Sequence, residues 1–105
     1  MIPNNKNAKE VKMLYKTGDF QISVTGSGRT FINGGTQYAL SVDLTQYDWY
    51  PKNVIAILPS QCFKSGDGNS RAIIVPHIDK PTSSIDIYAP SSGTYYCRVS
   101  ILYQE

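Results

Sequence analysis

The sequence predicts an all-β protein, an antiparallel β-sandwich of about eight short strands with a jelly-roll-like plan. Three observations predict it. First, apolar and polar residues alternate, most clearly at the end, where Tyr95, Cys97, Val99, Ile101 and Tyr103 share one parity and Tyr96, Arg98, Ser100 and Leu102 the other. A side-chain period of two belongs to a half-buried strand and does not fit a helical stripe. Second, clusters of Gly, Pro, Asn, Asp and Ser interrupt these segments every ~8–12 residues, the spacing of a sandwich or small barrel. Third, no helical period extends beyond two turns. At 105 residues the chain has the length of one domain with a single core.

Taken in order, residues 1–7 are polar and rich in Asn, a flexible N-terminal arm; the sandwich is expected over residues 8–105. Val11, Met13 and Tyr15 mark a first strand. Thr17-Gly18-Asp19 reads as a turn, and Phe20, Ile22 and Val24 as a second strand. Gly26-Ser27-Gly28 turns the chain, residues 29–33 form a short strand, and Gly34-Gly35 makes a hairpin turn in which positive φ costs little. Tyr38, Leu40, Val42 and Leu44 alternate next, and a break follows over residues 45–52. The run Val54 to Leu58 is apolar throughout, as in a strand covered on both sides, and Pro59 is expected to end it. Residues 60–70 read as a long polar stretch. Residues 72–78 form a strand that Pro76 confines to an edge or bulge. Ile85 and Ile87 mark a short strand, and Tyr95 to Tyr103 the last.

Composition narrows the function classes. Charged residues make up 17%, below the ~25% of typical domains. Eight tyrosines, with Phe20, Phe31, Phe63 and Trp49, give a neutral, aromatic, hydroxyl-rich chain suited to polar recognition. The net charge of +2 is dispersed, without the basic stripe of a nucleic-acid binder. Lys12 and Lys16 instead suit an edge strand, where Lys blocks stray pairing. No run approaches the ~20 apolar residues that span a bilayer, and the N-terminal residues lack a signal-peptide pattern. Synthesis in the cytoplasm without membrane insertion is therefore expected.

No constellation for bond-breaking chemistry emerges, and no enzyme activity, cofactor or metal is expected. His77 is the only histidine and lacks a nucleophile context. The acids are dispersed, unlike a glycosidase pair. Ser65-Gly66-Asp67-Gly68-Asn69-Ser70 lacks the closing Glu of a calcium loop and reads as an Asx/Gly turn. Cys62 and Cys97 read as core residues without zinc-ligand spacing. The one dense cluster is Tyr47, Asp48, Trp49 and Tyr50. Aromatic planes stack on the C–H faces of sugars while acids and amides hold hydroxyls. These four residues are therefore the candidate saccharide site, with packing of one end of the sandwich as the alternative role.

Two resemblances bear on function. Ser91-Ser92-Gly93-Thr94-Tyr95-Tyr96-Cys97 resembles the start of strand F in immunoglobulin variable domains, where a Tyr two residues before the Cys forms a tyrosine corner. The family order Cys, Trp, Cys is not kept, because Trp49 precedes both cysteines. Pro51-Lys52-Asn53-Val54-Ile55-Ala56-Ile57-Leu58, a polar Gly-rich loop, Ile85-Asp86-Ile87-Tyr88 and the strand Tyr95 to Tyr103 together resemble small β-sandwich domains of bacteriophage tail fibres and baseplates. That resemblance covers roughly the C-terminal half. It implies a homo-oligomeric virion tail component that contacts other tail proteins and engages a host-surface saccharide. A purely structural, homo-oligomeric assembly protein without a glycan ligand is the alternative, and an immunoglobulin-like binding domain the third.

Overall fold

A computed structural model describes residues 12–25, 29–30 and 36–105. The expected arm at 1–7, the turns at 26–28 and 34–35, and residues 31–33 of the short strand lie outside the described residues. The rest is an antiparallel two-sheet sandwich. Its strands are β1 (Met13–Val24), β2 (Arg29–Thr30), β3 (Thr36–Asp43), β4 (Val54–Lys64), β5 (Asp67–Arg71), β6 (Ile73–Pro76), β7 (Ser84–Ala89) and β8 (Gly93–Gln104). One sheet has the order β1-β8-β4-β5 and the other β2-β3-β7-β6. The first long strand pairs with the last, and β3 pairs with β7. These two long-range pairs are combined with three pairs of consecutive strands, β2-β3, β4-β5 and β6-β7, each within one sheet; the antiparallel sandwich expected from the sequence is present, while the consecutive pairs depart from a jelly-roll plan.

The core lies between the sheets. Val99 and Ile101 of β8, Phe20 and Val24 of β1, Ile57 of β4, Val42 of β3 and Ile85 and Ile87 of β7 are buried. Each such aliphatic side chain contributes about 1.5–3 kcal/mol by leaving water. Among the described residues, no buried side-chain polar atom lacks a partner. Tyr95 is fully buried, and its hydroxyl donates to the Ser91 carbonyl at 2.9 Å. The entry to β8 therefore has the hydrogen bond of a tyrosine corner, as the local motif suggested.

Three elements differ from the sequence expectation. Thr17-Gly18-Asp19 is not a turn. β1 runs unbroken through it, paired with β8 from Met13↔Gln104 to Val24↔Gly93. Gly18 is buried because the Trp49 indole lies against its α-carbon; a β-carbon there would collide with the ring. Glycine thus serves a close approach rather than a bend. Because the strand is continuous, its inward parity is that of Phe20, and Met13 and Tyr15 point to solvent, the latter 68% exposed.

The strand at Val54 is neither covered on both sides nor ended by Pro59. It continues to Lys64 with extra residues where the register shifts, between Val54 and Ala56 and between Pro59 and Gln61. Each bulge reverses the alternation. Ile57 therefore faces the core while Leu58 is 46% exposed on the outer face. The first bulge lets Val54 and Ile57, three residues apart, face the same side, while Ala56 and Leu58 lie on the outer face, so the apolar run does not mark two-sided burial. Finally, the long polar stretch is mostly strand. β4 and β5 form a hairpin around Ser65-Gly66, with Gly66 at φ +80°. At Ala72, whose amide donates to the Cys62 carbonyl at 2.9 Å, the chain leaves one sheet for the other.

Gly18→Ala tests the indole seat. Overpacking of this kind costs about 1–3 kcal/mol, so the variant should unfold at lower denaturant concentration than the parent despite Ala's better strand propensity. Tyr95→Phe should lose about 1 kcal/mol by the same measurement, since only a hydroxyl and its hydrogen bond are removed.

Candidate functional site

The cluster Tyr47, Asp48, Trp49 and Tyr50 lies directly after a 3-10 turn at Leu44–Gln46. Asp43 caps that turn, accepting from the Thr45 amide at 2.9 Å and the Thr45 hydroxyl at 2.6 Å. Tyr47 and Trp49 stack nearly parallel, ring centres 5.1 Å apart and planes 8° apart. Tyr47 in turn stacks on Phe20 at 5.2 Å. The Trp49 Nε1–H donates to the Asp19 carbonyl at 3.1 Å, and the Tyr50 hydroxyl donates to the Thr82 carbonyl. Burial raises the pKa of both Tyr47 and Tyr50, so both keep their protons at neutral pH. Asp48 is exposed. Tyr47, Trp49 and Tyr50 pack against the core, and the polar handles of Trp49 and Tyr50 are engaged inside the molecule.

A more open arrangement lies on the outer face of the β1-β8-β4-β5 sheet. The bulge at Ser60 turns Gln61 and Phe63 outward, beside Arg98 and Tyr96 of β8, while Asp19 and Gln21 of β1 flank the other side of β8. These six side chains line a groove of about 390 Å³ whose floor passes over Phe20 and Cys97. Phe63 and Tyr96 form a tilted aromatic pair, centres 5.9 Å apart. Tyr96 is 41% exposed, so the pair offers an aromatic surface to solvent. Arg98 holds Asp19 through two hydrogen bonds, Nε to Oδ1 at 2.7 Å and Nη2 to Oδ2 at 3.0 Å.

The hydrogen bonds from Arg98 hold the Asp19 carboxyl below its ordinary value, and the pair is ionised at neutral pH. Two charges of opposite sign and two carboxamides give the groove donors and acceptors without net charge. Such a set suits hydroxyl groups, which donate and accept at once. Sequence reasoning missed these residues because they are scattered over three strands. A usable signal was present: Pro59-Ser60 inside a strand marks a bulge, and reversing the parity after it puts Gln61 and Phe63 on the face of Tyr96.

His77 is not an isolated surface residue. Its Nδ1 lies 2.7 Å from Asp86 Oδ1, and the Ser41 hydroxyl donates to that same oxygen at 2.6 Å. A nucleophile relay requires the imidazole between hydroxyl and carboxylate. Here the carboxylate is in the middle, so the three side chains tie β3 and β7 to the turn after β6. No family model, curated protein or solved structure matches this chain.

The groove's charge pair has a defined pH behaviour. The folded pKa of Asp19 is depressed, so its stabilising effect is present above the ordinary carboxyl value of 3.8 and is lost as pH falls through the lower folded value. An NMR titration of the Asp19 carboxyl should give a midpoint below 3.8 in the native protein and one near 3.8 in Arg98→Gln. Both side chains are about half exposed, so a double-mutant cycle should find only a weak coupling between them, and added salt should weaken it further.

Proposed function

We propose that this chain is a non-enzymatic recognition module of the phage-tail type, engaging a host-surface saccharide through the groove on the outer sheet face. One observation carries the reading. A solvent-facing aromatic pair, Phe63 and Tyr96, stands beside Gln21, Gln61, Asp19 and Arg98, whose side chains supply donors and acceptors without net charge. A sugar ring brings the complement, a C–H face for the aromatic surface and hydroxyls for the polar groups. Tyr contributes rigid contact area at small entropic cost. The groove is shallow and built on strands, which suits binding of a single residue or chain end rather than enclosure of a substrate.

The groove is favoured over the loop at 47–50 for a physical reason. The aromatic cluster at 47–50 packs on the core, and its indole N–H and Tyr50 hydroxyl have internal acceptors. Its role here is support: the Trp49 bond to the Asp19 carbonyl fixes the backbone that presents the Asp19 carboxylate to Arg98. A second reading, structural assembly of a homo-oligomer, has its own observation. On the same face Tyr15 and Leu58 are exposed beyond the groove, an apolar surface suited to contact between subunits.

Glycan-array binding with Tyr96→Ala and Phe63→Ala tests the proposal. Each should weaken binding about tenfold or more, the effect of losing roughly 1.4 kcal/mol of stacking, with native circular dichroism retained. Binding by the parent that survives both substitutions refutes the groove. Sedimentation of Tyr15→Ser and Leu58→Ser addresses assembly: a shift from oligomer to monomer supports the second reading.

A further inference from the structure

Cys62 and Cys97 are far apart in the chain but directly opposite each other in the register of β4 and β8. The bulge at Ser60 produces this, because without the extra residue Cys62 would face outward. Both are free thiols, 2% and 3% exposed. Directly opposed residues on antiparallel strands have α-carbons ~4.5 or ~5.5 Å apart. Both spacings fall within the ~4.4–6.8 Å that a disulfide spans. No other thiol exists in the chain to compete.

We propose that Cys62 and Cys97 form an oxidisable cross-strand dithiol, a covalent modification site that closes to a disulfide beneath the outer-face groove. Its position gives it consequence. Cys62 stands between Gln61 and Phe63, and Cys97 between Tyr96 and Arg98, so the bond would join the two backbone segments that present four groove side chains. The site does not depend on what the groove binds.

The chemistry is a thiol–disulfide exchange with a low-molecular-weight disulfide as oxidant. The Cys62 thiolate attacks one sulfur of that disulfide; a protein–S–S bond forms and the first small thiolate leaves and takes a proton. Cys97 then gives up its proton and attacks the Cys62 sulfur, forming the cross-strand bond and releasing the second small thiol. Two protein thiols are oxidised and one small disulfide is reduced to two thiols. The neighbouring Cys97 thiol, as a donor to the Cys62 thiolate, lowers the Cys62 pKa and favours Cys62 as first nucleophile. The Cys62 sulfur beside it, with burial, raises the Cys97 pKa and keeps its proton in place until the second step.

The full chain is refolded from the reduced, denatured state in defined mixtures of reduced and oxidised glutathione, so burial of the folded thiols does not limit the approach to equilibrium. A parallel set stays in urea. Alkylation followed by intact-mass and peptide analysis reads the fraction of the Cys62–Cys97 bond. The expected result is a glutathione equilibrium constant for the bond at least ~10-fold larger in the folded protein than in urea, with the oxidised form unfolding at higher denaturant concentration. Equal or smaller constants in the folded protein overturn the proposal, as does an oxidised form that is less stable than the reduced one. Cys62→Ala and Cys97→Ala controls should show only mixed disulfide with glutathione; an intramolecular cross-link assigned elsewhere in the parent would also overturn it.

Discussion

β8 is one of the two inner strands of its sheet, paired along its length with β1 on one side and β4 on the other, and the arrangement of both faces depends on all three keeping the same phase. β1 matches it residue for residue over twelve pairs. β4 does not match by simple alternation and stays in phase through its bulges. After Pro59, one unpaired residue, Ser60, returns Cys62 to the core beside Cys97 and sends Gln61 and Phe63 outward. A slip of one residue would invert this whole end of the strand, burying an amide and exposing a thiol. The outward set of the groove on β4 and the facing thiols are two consequences of that one extra residue.

The second constraint is the approach of Trp49 to β1. An indole can lie flat against a strand only where no side chain intervenes, and Gly18 supplies that gap. Tyr47 then completes a stack from Trp49 to Phe20, closing the end of the sandwich with aromatic surface. Offset aromatic contacts add about 0.5–1.5 kcal/mol each beyond burial. The stack also has a polar end: through its N–H, Trp49 holds the Asp19 backbone, and Asp19 holds Arg98. The packed loop and the open groove are thereby coupled through one residue of β1.

The two outer faces carry different polar arrangements. On the β1-β8-β4-β5 sheet, an exposed ion pair and carboxamides surround an aromatic pair, so the groups remain available to an incoming ligand. On the other sheet, Asp86 is engaged by both Ser41 and His77, and its hydrogen bonds with them favour the carboxylate form against the opposing effect of burial. That cluster spends its hydrogen bonds within the protein. Exposure of polar groups, rather than their number, distinguishes the face proposed for recognition from the other.

The all-β class, the antiparallel sandwich and the inward set of β8 were legible because alternation and turn residues are local properties, and a strand's period shows in any window of eight residues. The buried Tyr95 hydrogen bond was legible for the same reason, being made within five residues. Gly18 was misread because glycine has one local meaning, a turn, and a second meaning that exists only when an indole thirty-one residues away lies upon it. Val54 to Leu58 was misread because a bulge is defined by the partner strand: the extra residue is extra only relative to β8. The aromatic cluster at 47–50 was visible as a cluster, but whether it packs or faces solvent depends on Phe20 and Gly18 of another strand. Local patterning was enough to fix the class of structure and which residues alternate. Tertiary pairing alone decided which face each side chain took, and so where the groove lies, since facing is a relation between strands and not a property of either one.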